Sequence, residues 1–267
     1  VAAVPTVPPA IPAPRPPVAA KQPHVRELHG DRFVDDYFWL RNKGTPEVEA
    51  YLNAEEAYAQ QALAPLRPLQ ETLYQEIVSH VPGDDATPPV KDGAYERWRK
   101  VLDGKQYPLF LRRKLPAGAE EVVLDVNQLA AGKQFMAVGG LTFSDDDRRL
   151  AYLPDETGFR QYTLQVKDLA TGALLPDRAE RVDGVAWAAD GQTLFYVVEN
   201  DAKRAYRAYR HRLGTPASAD VLVYEEKDER FDLSVERSSS KRYVVLQSHS
   251  KLTSEARLVD ARAPTAA

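Results

Sequence analysis

"GGLTFSDDDRRLAYLPDETGFRQYTLQVKDLATGALL" runs from Gly139 to Leu175, and a similar phrase, "GVAWAADGQTLFYV", begins at Gly184. Each phrase has a large apolar residue, a short polar turn and then an apolar strand, which is typical of antiparallel β-structure. The leading residues of three such phrases are 44 and 48 residues apart along the chain: Phe143, Trp187 and Val235. A unit of about four strands that recurs at roughly 40 to 50 residues predicts the blades of a β-propeller.

The segments that follow each leading residue keep the same order. The polar turns are Asp145–Asp147, Asp190–Gly191 and Ser238–Ser240. The apolar pairs after these turns are Leu150 and Tyr152, Leu194 and Tyr196, and Tyr243 and Val245. We therefore predict that each turn joins two neighbouring strands of one blade.

Three further β-rich runs precede the first phrase and predict an antiparallel meander: Ala94–Leu102, Tyr107–Lys114 and Glu120–Val126. With them the chain is mainly β and holds about four blades, which start near residues 86, 134, 180 and 227, and the last stops near Asp260. Because propellers have about four to eight blades, this one is expected to be incomplete. An all-β sandwich with accidental internal similarity is the alternative.

The N-terminal part of the chain has a different pattern. Residues 1–23 hold 8 of the 20 prolines and no acidic residue, which predicts a disordered Pro/Ala-rich tail. Residues 24–85 predict a helical segment, and residues 86–267 the partial propeller. Thr45 followed by Pro46 is typical of a helix start. Two apolar stripes each need a partner surface: Val48, Tyr51, Leu52, Glu55, Ala59 and Ala62, and Leu66, Leu69, Leu73 and Ile77.

Composition excludes several classes of function. The chain has 35 Lys and Arg residues against 39 Asp and Glu residues, and this balance argues against a nucleic-acid partner. The absence of cysteine excludes disulfides, thiolate zinc sites and a cysteine nucleophile. The sequence contains no run of about 18 apolar residues, so we expect no membrane partner.

The motifs that carry hydrolytic or nucleotide chemistry are missing. None of the 14 glycines is followed two positions later by serine, so the chain has no G-x-S-x-G nucleophile elbow. The glycine patterns of P-loops and dinucleotide sites are absent too. The five histidines never show the i, i+4 spacing of a helical zinc site: His24, His29, His80, His211 and His249. We therefore predict no catalytic residue, no metal site and no cofactor within this chain.

Two short polar segments have a structural and a functional interpretation. Ser248–Ser250 places serine beside histidine, but adjacent strand residues point to opposite faces, which favours an ordinary strand end over a nucleophile and its base. Ser144–Arg149 lacks the spaced oxygen ligands of a calcium loop, and its place in the repeat favours a turn.

Two longer segments are also ambiguous. Tyr224–Arg230 is a solvated loop between blades or an acidic mouth that attracts basic peptides. Arg204–Arg212 interleaves basic and aromatic residues, as a base-stacking surface does. In a strand, however, Tyr206 and Tyr209 cannot face the same side, which weakens that interpretation.

Longer phrases in the chain carry a resemblance to a known family. They are "DDYFWLR" (Asp35–Arg41), "EEVVLDVNQLA" (Glu120–Ala130), "RQYTLQVKDLATG" (Arg160–Gly172), "VAWAADGQTLFYV" (Val185–Val197), "YRHRLGTPASADVLVYEEKDERF" (Tyr209–Phe231) and "TSEARLVDA" (Thr253–Ala261). In this order, from about His24 to Ala261, the chain resembles the oligopeptidase B (protease II) group of the prolyl oligopeptidase family of serine peptidases.

The resemblance implies a seven-bladed propeller over an α/β-hydrolase domain, on which the N-terminal helices pack. It implies hydrolysis of short peptides after Lys or Arg, with the propeller limiting substrate size. In the family the catalytic Ser, Asp and His lie in the hydrolase domain, beyond residue 267, so no catalytic residue is carried over. We expect the isolated chain to be inactive. The implied partners are short basic peptides and the missing hydrolase domain.

A second hypothesis is a free-standing propeller-type module that binds peptides without catalysis. An open reading frame that continues into a hydrolase domain would favour the enzyme over this module. We expect a cytoplasmic location, or a periplasmic one if the Ala/Pro-rich start is a processed N-terminus. No position of the chain is assigned to substrate binding.

Overall fold

The structure is a computed structural model that describes residues 14–265. The predicted tail lies partly outside the described residues, and its residues 14–23 form neither helix nor strand. The chain divides into two compact units, one on each side of the Pro82–Gly83 peptide.

The N-terminal unit begins with an antiparallel hairpin of β1 (His24–Leu28) and β2 (Asp31–Asp35). This corrects the prediction that the chain is helical from residue 24. The turn residues His29 and Gly30 both have positive φ, 55° and 89°, which a two-residue hairpin loop of this kind requires. The turn chemistry therefore determines the hairpin, whereas the prediction considered only apolar periodicity.

Two helices follow the hairpin, α1 (Pro46–Leu63) and α2 (Arg67–Ser79), with short 3-10 turns at Phe38–Arg41 and Ala64–Leu66. The predicted start of α1 is confirmed, although the Thr45 hydroxyl donates to the carbonyl of residue 42 at 3.0 Å instead of capping the helix.

The aromatic cluster before α1 anchors this unit internally. The indole of Trp39 is buried, donates to the Ala20 carbonyl at 2.9 Å and meets the ring of Tyr51 edge-on. Val48 of the first stripe is buried as well. The four apolar side chains of the second stripe, Leu66, Leu69, Leu73 and Ile77, are exposed.

The second unit consists of four antiparallel sheets in sequence order. The first sheet comprises β3 (Asp85–Ala86), β4 (Val90–Asp92), β5 (Tyr95–Val101), β6 (Leu109–Lys114) and β7 (Glu120–Asp125), and a helical turn, α3 (Val126–Leu129), follows it. The second comprises β8 (Ala137–Phe143), β9 (Arg149–Asp155), β10 (Thr163–Asp168) and β11 (Leu174–Glu180). The third comprises β12 (Val182–Trp187), β13 (Thr193–Glu199), β14 (Ala205–Arg212) and β15 (Val221–Glu225). The fourth comprises β16 (Asp232–Arg237), β17 (Tyr243–His249) and β18 (Ser254–Asp260).

These sheets confirm the mainly β prediction and the meander. Strands β5, β6 and β7 fall within the three β-rich runs, and each pairs with the next. In the second and third sheets four consecutive strands pair in chain order. Apolar side chains from neighbouring sheets form the cores, so the hydrophobic interior lies between the sheets.

The repeat has a different phase in the fourth sheet from the predicted one. Phe143 pairs with Leu150 and Trp187 with Leu194, but the equivalent pair in the fourth sheet is Arg237 with Val244. The leading residues are therefore 44 and 50 residues apart (143 to 187, 187 to 237).

The prediction that Val235, Tyr243 and Val245 correspond to Phe143, Leu150 and Tyr152 was therefore wrong. Val244 and Leu246 are the residues that correspond to Leu150 and Tyr152, and their exposure is 0% and 1%. The prediction was wrong because it assumed an apolar leading residue, whereas the fourth sheet has Arg237 at this position.

Candidate functional site

A cavity of about 550 Å³ lies between the first and second sheets and extends to the β16–β17 turn. Its walls are largely aromatic and aliphatic: Trp98, Phe110, Leu111, Leu141, Phe143 and Trp187. Its rim is charged: Asp92, Arg97, Arg99, Asp145, Arg237 and Lys241. A concave apolar site of this size with a few polar groups is what ligand binding requires.

Arg97 connects the first and second sheets at this rim. Its guanidinium lies 3.8 Å from the centre of the Phe143 ring and pairs with the carboxylates of Asp92 and Asp147. Burial lowers the pKa of Arg97, and the charge of Asp147 partly offsets that effect.

Two further cations of the rim are also paired. Lys241 Nζ lies 2.9 Å from Asp92 Oδ1, and Arg237 Nη2 lies 2.9 Å from Asp145 Oδ2. Arg99, in contrast, makes no ion pair within residues 14–265. An anionic group of a ligand could therefore bind there without breaking an existing pair.

The cavity has the features of a binding site but lacks the parts of a hydrolytic one. No serine hydroxyl within the described residues hydrogen-bonds to a histidine ring, whereas acyl transfer needs a nucleophile beside its base. In the same residues there is no group of three His, Cys, Asp or Glu side chains that could hold a metal ion. No helix of that range combines the length and apolar character needed to cross a membrane.

The two short polar segments have the predicted structural roles. Ser248 is 1% exposed and His249 is exposed, so their side chains diverge as expected for a strand end. In Ser144–Arg149 the Ser144 hydroxyl donates to Asp146 Oδ1 at 2.6 Å and stabilises a turn. Burial raises the pKa of Asp146, but the hydrogen bonds from Ser144 and from the Arg148 N–H outweigh it, so this pKa is below its ordinary value.

The acidic loop at Tyr224–Arg230 is only partly solvated. Glu226 is 9% exposed and accepts from the Tyr224 hydroxyl at 3.0 Å. Arg204 Nη1 donates to the carbonyls of residues 226, 228 and 231 and so holds the loop against the third sheet. The Asp228 carboxylate pairs with Arg230. The carboxylates of Glu226 and Asp228 are therefore engaged within the loop.

The arginine-rich strand does not form a stacking surface. Tyr209 stacks on Tyr196 with ring centroids 5.6 Å apart, whereas Tyr206 contacts the guanidinium groups of Arg204 and Arg207. The two tyrosines of this strand thus have different partners, as the alternation predicted.

A buried polar cluster surrounds His211 and was not predicted from the sequence. The ring nitrogens of His211 lie 2.9 Å from Asp177 Oδ1 and 2.7 Å from Asp220 Oδ1. These residues are 34 and 9 positions from the histidine along the chain. Pairing of β14 with β15 within the third sheet brings Asp220 beside the histidine, and packing of the second sheet against the third brings Asp177. The one available signal was a histidine two residues after Tyr209, on the same face of an otherwise basic strand.

Comparison with known proteins identifies the architecture. The family described as "Prolyl oligopeptidase, N-terminal beta-propeller domain" matches residues 16–267. Dipeptidyl aminopeptidase BI of Pseudoxanthomonas mexicana is 40% identical over 93% of this chain and 37% of the relative. Protease 2 of Moraxella lacunata is 36% identical, again over 93% of this chain and 37% of the relative. The chain thus spans 37% of the length of these curated relatives.

Two solved structures have the same fold. Oligopeptidase B from Leishmania major superposes with a TM-score of 0.86 and 29% identity, over 93% of this chain and 38% of that one. Oligopeptidase B from Trypanosoma brucei, with covalently bound antipain, superposes with a TM-score of 0.83 and 31% identity over the same shares, 93% and 38%. The propeller prediction is confirmed, and the sandwich alternative is wrong.

Proposed function

The chain belongs to the prolyl oligopeptidase family, and we propose from this that it is the N-terminal and partial propeller region of a serine oligopeptidase that hydrolyses short peptides after Lys or Arg. The match of the propeller domain over residues 16–267 is the observation that carries the proposal. Family members are serine peptidases, so the complete enzyme would act by acyl transfer from a serine nucleophile.

The proposed preference for basic residues is the one that the resemblance to the oligopeptidase B group implies. Protease 2 and two oligopeptidase B structures are similar to this chain along 93% of its length, which supports the choice of that group. The proposed role of the propeller is to limit substrate size. Neighbouring sheets pack through continuous apolar cores, and a rigid wall of this kind would admit short peptides and obstruct folded ones.

The proposal is tested with the natural full-length gene product and fluorogenic peptides that differ only in the residue before the scissile bond. We expect kcat/KM to be at least about tenfold higher for Arg and Lys than for Ala or Pro, which corresponds to about 1.4 kcal/mol of transition-state binding. A peptide series of increasing length, with Arg before the scissile bond, should show a steep loss of cleavage for long chains. Equal rates for all residues, or cleavage of folded proteins, would contradict the proposal.

The 267-residue chain provides the matching negative control. It contains no nucleophile elbow, so we expect no turnover of the Arg peptides that the full-length product cleaves. Turnover by the pure chain that a serine-directed inhibitor abolishes would overturn this expectation.

A second activity is favoured by one similarity, the 40% identity to dipeptidyl aminopeptidase BI. An enzyme of that kind would release dipeptides from a free N-terminus. Paired substrates with free and blocked N-termini separate the two activities, because an oligopeptidase cleaves both and a dipeptidyl aminopeptidase cleaves only the free form. The alternative of a peptide-binding module predicts that the isolated chain binds the same peptides in calorimetry.

We place the complete enzyme in the cytoplasm, or in the periplasm if the Ala/Pro-rich start is a processed N-terminus. Fractionation of source cells, with activity on Arg peptides as the readout, distinguishes the two compartments.

A further inference from the structure

The polar cluster around His211 joins two sheets at a buried position. Asp177 lies on β11 of the second sheet, His211 lies on β14 of the third, and Asp220 precedes β15. The side chains of the three residues are only 2–3% exposed. Charged groups are rarely buried to this extent unless hydrogen bonds satisfy them.

Each carboxylate in the cluster also accepts a second hydrogen bond. The Gly214 N–H donates to Asp177 Oδ1 at 2.6 Å, and the Tyr196 hydroxyl donates to Asp220 Oδ2 at 2.7 Å. Burial and the hydrogen bond to Asp220 raise the pKa of Tyr196, so its hydroxyl remains a donor at neutral pH. The titratable groups that face the imidazole within the described residues are thus Asp177, Asp220 and Tyr196, and Tyr209 stacks behind Tyr196.

The geometry requires a particular number of protons. A neutral imidazole has one N–H donor and one acceptor nitrogen. Here both ring nitrogens lie within hydrogen-bonding distance of carboxylate oxygens. With a neutral ring and two ionised carboxylates, one nitrogen lone pair would face an anionic oxygen in a buried site, which is strongly unfavourable.

We propose that His211 is a doubly protonated imidazolium that donates to both Asp177 and Asp220, and that this proton holds the second sheet to the third. The imidazolium neutralises one of the two buried carboxylates and gives each of them a charge-assisted hydrogen bond. The cluster is therefore a clasp between neighbouring blades that depends on its protonation.

Linkage gives the sign of the expected pH dependence. An unfolded histidine loses its second proton near pH 6.5, whereas the folded clasp keeps it. Above that pH the folded state binds one proton more than the unfolded state, so the stabilisation is complete below about pH 6.5 and decreases as pH rises. For one proton the ratio of folded to unfolded protein falls about tenfold per pH unit.

The test is urea unfolding of the 267-residue chain between pH 6 and 9, with Asp220→Asn as the main variant. In Asp220→Asn the amide oxygen can still accept from the Tyr196 hydroxyl, while the amide nitrogen donates to Nδ1 of a neutral ring, so this variant needs no second proton on His211. As the pH rises by one unit, we expect the ratio of folded to unfolded protein to fall by up to about tenfold more in the unvaried protein than in Asp220→Asn. His249→Gln, at an exposed histidine, is the matched control and should leave the pH slope unchanged.

Two outcomes of this measurement would overturn the proposal. One is an equal pH slope in the unvaried protein and in Asp220→Asn. The other is a stability that rises with pH relative to Asp220→Asn, as a neutral folded ring would produce.

If Asp220→Asn fails to fold, nitrogen NMR of the histidine-labelled unvaried protein provides the answer. At pH 8 we expect one of the five histidine rings to retain two slowly exchanging N–H protons. A spectrum in which every ring carries a single N–H proton would refute the imidazolium.

Discussion

Arg237 occupies the position that carries an aromatic residue in the second and third sheets. Its guanidinium donates to the carbonyls of Trp187 and Lys241 and pairs with Asp145, while the side chain is only 14% exposed. Arg237→Met keeps the apolar stem but removes every donor. Because it leaves partners of a largely buried cation unsatisfied, we expect the free energy of unfolding to fall by about 2 kcal/mol.

Urea denaturation with a fixed m-value measures this loss. Arg262→Met is the control, because within residues 14–265 Arg262 forms an ion pair only with the nearby Asp260 and its side chain is 67% exposed. The control should leave the midpoint unchanged. A decrease for Arg237→Met that is no larger than the control's would mean that the cross-sheet hydrogen bonds contribute nothing measurable.

The roles of some single residues could not be predicted from the sequence. The period-2 pattern identified Phe143 and Trp187 correctly, because an apolar residue at the end of a strand is a visible signal. It missed Arg237, whose partners include the Trp187 carbonyl of the third sheet and the Asp145 carboxylate of the second. The His211 cluster was not predictable for a similar reason, since Asp177 reaches the histidine from a different sheet.

Among the elements, strands were easier to predict than the segments that join them. Alternation located β5 to β7 within a few residues, but the β1–β2 hairpin was assigned to a helical segment. The difference is physical, because alternation reports burial on one face and the hairpin is exposed along its whole length. Its signal lay in the turn at His29 and Gly30.

Helix α2 carries three exposed apolar side chains on one face, Leu69, Leu73 and Ile77, and Leu66 directly before the helix is exposed as well. Exposed apolar patches promote association in water, so we expect the 267-residue chain to self-associate. Leu69→Gln combined with Leu73→Gln should reduce the apparent mass in size-exclusion chromatography coupled to light scattering. Gln75→Ala, on the opposite side of α2, should leave that mass unchanged. A compact monomer of the unvaried chain would contradict the expectation.

The second unit as a whole is stabilised by the cores between its sheets. Leu194 is 0% exposed within the core shared by the second and third sheets, and Leu252 is 93% exposed. Leu194→Ala should lower the free energy of unfolding by about 3–5 kcal/mol, because it removes buried methyl groups and leaves a cavity.

Leu252→Ala makes the same chemical change at an exposed site and is the matched control. Its urea midpoint should equal that of the unvaried protein within experimental error. If the two variants lost similar amounts of free energy of unfolding, the apolar core between the second and third sheets would not be a main source of stability.

Across the whole chain, the repeat and the family resemblance predicted the propeller, whereas the cavity between the first two sheets could not be predicted. Its walls come from residues as far apart as Trp98 and Trp187, and its rim includes Lys241. A cavity is a property of packing between sheets, and alternation along one strand contains no information about it. The sequence could nevertheless predict the lack of a nucleophile elbow, because that motif is local.

The three tryptophans can serve as optical reporters of different parts of the molecule. Trp39 is buried in the N-terminal unit, and Trp98 and Trp187 both line the cavity. Trp187 also donates its indole N–H to the Thr142 carbonyl at 3.2 Å, between the second and third sheets. Variants that keep one indole at a time would separate their fluorescence. Emission from Trp98 would then follow ligand entry, and emission from Trp187 would follow both ligand entry and the separation of neighbouring blades.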